Sequence, residues 1–257
     1  MQSPDFSLSG RVALVTGSTQ GLGLAIAGAM AAAGAAVVIN GRNALRVQAA
    51  VESLQEQGYV AHGWVQDIAQ TNTLPKAWSA LCSQVGTPDI VVNNVGHRLR
   101  QPLSNMSFED IQQHIHVNLT ATICLSKLAA AAMVESGKPA GRFITLSSIA
   151  GPLVRPGDAV YPIAKQALEA LVRSLAVEYG PHGITSNGIA PGTFATEANA
   201  HLAADPQKSH AVIGRNPTGR WGRPDEITGA AVFLASPAAS YVNGHVLVVD
   251  GGFSVVF

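Results

Sequence analysis

The chain has 257 residues, 47% of them hydrophobic and 12% charged, with sixteen basic residues balancing sixteen acidic ones. That length suits one α/β domain whose core needs no disulfide or metal, and the neutral balance gives no global pull toward nucleic acid or an anionic membrane. The two cysteines, Cys82 and Cys124, lack metal-ligand spacing and read as small buried hydrophobes, which suits a reducing cytoplasm. The first ten residues carry neither a basic stretch nor a long apolar run, and the apolar cluster at 25–39 is broken by Gly34. Neither a signal peptide nor a membrane span is expected.

Short β-branched runs alternate with longer stretches of helical period. The first run, Val12–Thr16, leads into TGSTQGLG at Thr16–Gly23 and then an Ala-rich helix. Glycines at 17, 21 and 23 let the turn tighten, let a phosphate reach the backbone and let the helix pack close to its strand. The helix N-terminus adds free N–H groups and the positive end of its dipole. The spacing, G-x-x-x-G-x-G, reads as a pyrophosphate cradle and differs from the G-x-G-x-x-G of other dinucleotide folds. The second run, Ala36–Asn40, is followed by Gly41 and Arg42, and no acidic residue lies between Asp5 and Glu52. The carboxylate that would hold an adenosine ribose hydroxyl is missing, whereas Arg42 offers a fork suited to a 2′-phosphate. NADP(H) is therefore the expected cofactor, with Arg42 its selector.

The third run, Tyr59–Val65, precedes Asp67, and the fourth, Ile90–Asn94, opens NNVGHRLRQPL. Arg98 and Arg100 thus follow the carboxyl end of a strand, where ligands of such sheets bind. They read either as a solvated loop face or as guanidinium groups for an anionic substrate. A helical stretch over about 107–135, a fifth run at Arg142–Leu146 and a second helix over about 159–179 come next. The second helix carries YPIAK. Tyr161 and Lys165, four residues apart, share one helix face, so the ammonium can approach the phenol. A nearby cation favours the phenolate over a phenol that ordinarily titrates at about 10, making Tyr161 a usable acid/base. Runs at Ile184–Ala190 and His245–Asp250 complete seven strands. The pattern predicts one doubly wound α/β domain of the Rossmann type over residues 1–257, a seven-stranded parallel sheet with helices on both faces. Residues 191–217 interrupt the alternation, and 193–216 read as a substrate loop.

Together TGSTQGLG, the NNVG at Asn93–Gly96, Ser148 and YPIAK resemble the short-chain dehydrogenase/reductase family, in the expected order and over essentially the whole chain. TGRWGRPDE, NNVGHRLR and NGRN are most similar to its gluconate 5-dehydrogenase-like subgroup. The resemblance implies a tetrad of Asn118, Ser148, Tyr161 and Lys165. In it, Tyr161 exchanges a proton with the substrate oxygen, Ser148 hydrogen-bonds that oxygen, Lys165 also holds the nicotinamide ribose, and Asn118 supports a water relay behind Lys165. It further implies cofactor contacts along the glycine turn at Gly17, Ser18, Thr19, Gly21, Leu22 and Gly23, and at Asn40, Asp67 and Ile68. Asn93, Asn94 and Gly96 match the adenosine-ribose support, and Pro191, Gly192, Phe194 and Thr196 the nicotinamide pocket. Asp67 also reads as an N-cap for the following helix.

The implied reaction interconverts a secondary alcohol and a ketone on a small-molecule sugar acid such as gluconate/5-ketogluconate, without a metal. The expected substrate contacts are Arg98, Arg100, Ser148 and Tyr161. Alternatives are a 3-oxoacyl-acyl-carrier-protein reductase, which needs a basic surface for its carrier, and a non-catalytic dinucleotide-binding protein, which needs no Tyr/Lys pair. No nucleic-acid or membrane partner is expected, and the resemblance implies a cytoplasmic homotetramer.

Overall fold

The computed structural model describes residues 3–137 and 140–256. Seven strands, β1 Val12–Val15, β2 Ala36–Gly41, β3 Ala61–Val65, β4 Ile90–Asn93, β5 Arg142–Leu146, β6 Thr185–Pro191 and β7 Val246–Val249, form one sheet in the order β3-β2-β1-β4-β5-β6-β7. Every pairing is parallel. The order reverses between β1 and β4, which opens a crevice at the carboxyl ends of those two strands.

Side-chain alternation along the strands divides the core in two. Val15, Ile39, Val92 and Leu146 point to one face, with Ile26 and Met30 of α1 (Gly21–Ala32), Leu54 of α2 (Ala44–Glu56) and Leu234 further along the chain. Leu14, Val38, Val91 and Phe143 point to the other, with Trp78 of α3 (Leu74–Val85) and further helices. Helices on both faces leave β4, β5 and β6 buried along their whole length, the polar residues of β5 and β6 included.

The helical stretch expected over 107–135 is α4 (Phe108–Ile115), a π turn (His116–Thr120) and α5 (Ala121–Glu135). Ser107 starts it with a capping box to Asp110. The π turn has a local cause: Asn118 Nδ2 donates to the His114 carbonyl at 2.8 Å and so competes for the acceptor of the ordinary helical bond. The same stretch is long and apolar enough to cross a membrane. Here, however, Ala121, Leu125, Ala129 and Met133 pack into the second core face, as a core helix does.

The second expected helix is α6 (Val160–Tyr179), one residue shorter at its start. Residues 193–216 are not an open loop: they contain a 3-10 turn at Glu197–Asn199, α7 (Ala200–Ala203) and α8 (Pro206–Ile213). A further helix, α9 (Thr228–Ala235), returns to the first core face beside α1.

Candidate active site

The glycine turn joins β1 to α1 at the crevice. Gly17 and Gly21 have φ of +61° and +59°, a region open to glycine with little strain. At Gly23 the constraint is space, since a Cβ there would lie 2.5 Å from both the Gly17 carbonyl oxygen and Asn94 Nδ2. Asn94 Nδ2 donates to the carbonyls of Thr16 (2.9 Å) and Gly17 (3.0 Å), pinning the turn to the end of β4. Gln20, which precedes α1, provides no side-chain cap, and the first turn of α1 has no acidic residue. Its leading N–H groups and dipole therefore suit a diphosphate, and the chain's residues fit a dinucleotide here.

Several expected cofactor contacts have other duties. Ser18 Oγ donates to the Val15 carbonyl (2.6 Å) and accepts from Asn40 N (3.0 Å). Asn40 Oδ1 accepts from Gly17 N at 3.2 Å, while its Nδ2 donates to the carbonyls of Trp64 and Gln66. Both side chains are buried and hold the cradle in shape. Ile68 is a core residue beside Leu74, and Phe194 is buried against Gly222, where a Cβ would meet the ring at 2.9 Å. For these two, only the backbone is left to serve a ligand. Asp67 does not cap α3, which starts at Leu74; its Oδ1 accepts from Ala69 N at 3.0 Å and closes a local turn. The N-cap reading fails because the chain makes that turn before the helix begins.

Arg42 lies at the open lip of the crevice, its side chain 80% exposed and 3.8 Å from Asp67, so its guanidinium is available to a ligand. Arg46, not singled out from the sequence, reaches Gln20 Oε1 at 3.2 Å beside the same turn. Its place four residues after Arg42, in the first turn of α2, was the available signal. Thr19 lies against Gly41, and Thr196 packs within 3.7 Å of where a Gly21 Cβ would be, so the start of the 193–216 segment closes over the cradle.

At the other end of the crevice, α6 presents Tyr161 and Lys165. The Lys165 amine is buried, donates to the Leu146 carbonyl at 2.8 Å and lies 5.6 Å from the centroid of the Tyr161 ring. A Cβ at Gly96 would come within 3.3 Å of that amine and 3.5 Å of Asn118 Oδ1, so the small residue admits both. Asn118 is fully buried: Oδ1 accepts from His97 N, and Nδ2 donates to the carbonyls of His97 and His114. It anchors the segment after β4 to the π turn. Ser148, following β5, accepts from Ala150 N at 3.1 Å and lies near enough to Tyr161 to act on its phenol.

The electrostatics differ from the simple picture of a lysine lowering a phenol. Burial pushes the Tyr161 phenol up, opposed first by Arg98 and then by the Ser148 hydroxyl. Lys165 is itself pushed down to about 8, by burial and then by Arg98. Desolvation disfavours both charged forms, and the leading cation at the phenol is a residue 63 positions away in sequence rather than four.

The two arginines after β4 differ in their pairing. Arg98 donates from Nε (3.0 Å) and Nη2 to Oδ2 of Asp158, a carboxylate only 1% exposed, and its guanidinium carbon sits 4.8 Å from the Tyr161 ring centroid. Arg100 carries no ion pair among the described residues, and its acidity is shifted by burial, then by Arg98 and Arg155. His114, also unanticipated, meets Tyr161 edge-on at 6.1 Å and His97 at 5.9 Å; both its ring nitrogens are buried without a partner. Burial, then His97, holds it below the usual imidazole range. The sequence did hold signals for these residues: His114 precedes Asn118 by four positions and Asp158 precedes Tyr161 by three.

A glycine cradle at the β1/β4 crevice and a Tyr/Lys/Ser group at its far end define a nicotinamide-type oxidoreductase fold and site. The family model described as Enoyl-(Acyl carrier protein) reductase matches residues 17–254. Gluconate 5-dehydrogenase of Gluconobacter oxydans (strain 621H) is 40% identical over 99% of each chain. 5-keto-D-gluconate 5-reductase of Escherichia coli (strain K12) is 37% identical over 97% of this chain and 98% of its own. A crystal structure of a gluconate 5-dehydrogenase from Burkholderia cenocepacia J2315, in complex with NADP and tartrate, superposes with a TM-score of 0.93 at 38% identity over 99% of each chain. The chain belongs to the short-chain dehydrogenase/reductase family and is an oxidoreductase.

Proposed function

We propose that the protein interconverts a secondary alcohol and a ketone on a polyhydroxy carboxylate of the gluconate/5-ketogluconate class, with NADP(H). The observation that carries this reading is the Lys165 amine 5.6 Å from the Tyr161 ring centroid, with Ser148 acting on the same phenol and Arg100, which has no ion pair among the described residues, in the same region. The names of the relatives support the substrate class, and the exposed Arg42 supports a 2′-phosphate on the cofactor.

The glycine turn would hold the diphosphate of NADP(H) and Arg42 its 2′-phosphate, and the bound cofactor would supply or accept the hydride. Tyr161 gives a proton to the substrate oxygen in ketone reduction and takes it back in alcohol oxidation. Ser148 hydrogen-bonds the same oxygen and so steadies the charge that develops on it. Lys165, oriented by the Leu146 carbonyl, holds the nicotinamide ribose. Asn118 fixes the segment carrying His97 and Gly96 against them and supports a water relay behind Lys165. Arg100 takes the substrate carboxylate, and the 193–216 segment covers the site. Exposed apolar residues on and near α6, Ile163 and Val154, support assembly as a homotetramer, and we read the enzyme as cytoplasmic.

The test is NADPH oxidation with 5-ketogluconate, with a 3-ketoacyl thioester, or with neither. Turnover with the sugar acid is expected; turnover confined to the thioester would replace this reading with an acyl-carrier reductase, and none with either would remove the substrate class. Arg100→Gln should raise KM for the acid by about 10- to 100-fold and leave a neutral polyhydroxy ketone nearly unaffected. Equal effects on both would dismiss the carboxylate contact.

A further inference from the structure

Asp158 lies just before α6, its carboxylate nearly inaccessible to solvent, with Oδ2 accepting two bonds from Arg98 and lying 3.8 Å from Arg155 Nε, while Oδ1 has no partner. A buried carboxylate is tolerated only with a counterion held firmly against it, so Asp158 restrains the guanidinium it pairs with. Arg98 belongs to an otherwise exposed segment and would be free to swing into solvent. Instead its guanidinium is parked on the face of the Tyr161 ring, where a cation is attracted to the π system and more strongly to a phenolate.

We propose that Asp158 is a positioning residue that acts through Arg98: it fixes the guanidinium over the Tyr161 ring and thereby sets the pH range in which the phenol exchanges its proton. The inference rests on the reading of Tyr161 as the acid/base, and it assigns the two arginines different jobs, Arg98 to the phenol and Arg100 to the substrate.

The groups around Tyr161 come from five segments: Arg98 and Arg100 after β4, with His97 packed on His114 of α4, Asp158 before α6, with Arg155 beside it, Lys165 on α6, and the Ser148 hydroxyl after β5. Among the charged groups, Arg98 contributes the largest lowering influence on the phenol, while Asp158 by its own charge pushes it up. The two effects of Asp158 therefore have opposite signs, and a substitution can tell them apart. If Asp158 acted only through its own field, neutralising it would make the phenol more acidic. If it acts by holding Arg98, neutralising it releases the cation and makes the phenol less acidic.

The experiment follows kcat/KM for alcohol oxidation against pH, where activity rises as the phenol ionises, and titrates the phenol directly by ultraviolet difference absorbance against Tyr161→Phe. Arg98→Gln should move the midpoint to higher pH and lower oxidation at pH 7 by about tenfold. Asp158→Asn, nearly isosteric, should move it the same way, and the double variant should move it no further than the larger single shift. Arg98→Lys, which keeps the charge, should recover part of the range.

A midpoint that moves to lower pH or stays in place in Asp158→Asn, or shifts that add in the double variant, overturns the proposal. Arg98→Gln decides alone if Asp158→Asn does not fold, since an unmoved or lowered midpoint there also overturns it. Retention of most of kcat by Tyr161→Phe would instead overturn the underlying acid/base reading, so the two failures are distinguishable.

Discussion

The two ends of the crevice are built on opposite terms. At the glycine end, the buried side chains Ser18 and Asn40 and the half-buried Asn94 spend their hydrogen bonds on the backbone of the turn and neighbouring strands, and what is left for a ligand is N–H groups and exposed Arg42. Around Tyr161 the balance is reversed: both nitrogens of His114 and one oxygen of Asp158 are buried without partners, and charged groups press on the phenol from several sides. Polar satisfaction makes the first end a rigid mould for a cofactor common to many enzymes. The second leaves polar groups unmet and pKa values displaced, as expected where chemistry and substrate choice reside.

The largest test of that contrast is Tyr161→Phe. It should lower kcat by about 10²- to 10⁴-fold while leaving NADPH affinity unchanged, measured by turnover and by cofactor fluorescence. A matching loss of NADPH binding would mean that the two ends are not separate devices. Next comes Arg42→Gln, which should cut kcat/KM with NADPH by about 10- to 100-fold and spare NADH. An enzyme that already uses both cofactors equally would sink the selector role. The smallest effect sharpens the comparison from outside both ends. Asn43 caps α2 by accepting from Arg46 N at 3.0 Å, and Asn43→Ala should cost about 1 kcal/mol of stability in denaturant unfolding with kcat intact.

Much of the glycine end was legible because its information is local. A tight turn between a strand and a helix needs glycines at set positions, and Arg42 stands out against a run without acids. The hydrogen bonds by which Ser18 and Asn40, expected to contact the cofactor, tie β1 to β2 were not legible, because a side chain's direction depends on which strand pairs beside it. The seven strands were visible as apolar runs, with edges displaced by one or two residues where the ladder begins or stops. The break in the long helix was hidden: Asn118 looks like an ordinary helix residue until its bonds to His114 and His97 are seen. Tyr161 and Lys165 were legible through helical spacing, but the direction of the phenol's shift was not.

By itself, then, the amino-acid order determined the α/β alternation, the phosphate cradle, the cofactor expectation and the Tyr/Lys pair, since each depends on residues a few positions apart. Tertiary structure alone decided that Arg98 would lie over the Tyr161 ring while Arg100 has no ion pair among the described residues, and that Asp158 would be buried against the first of them. Those outcomes turn on desolvation and on a pairing across sixty residues. No local pattern carries that, because burial is a property of the packed sheet and helices together.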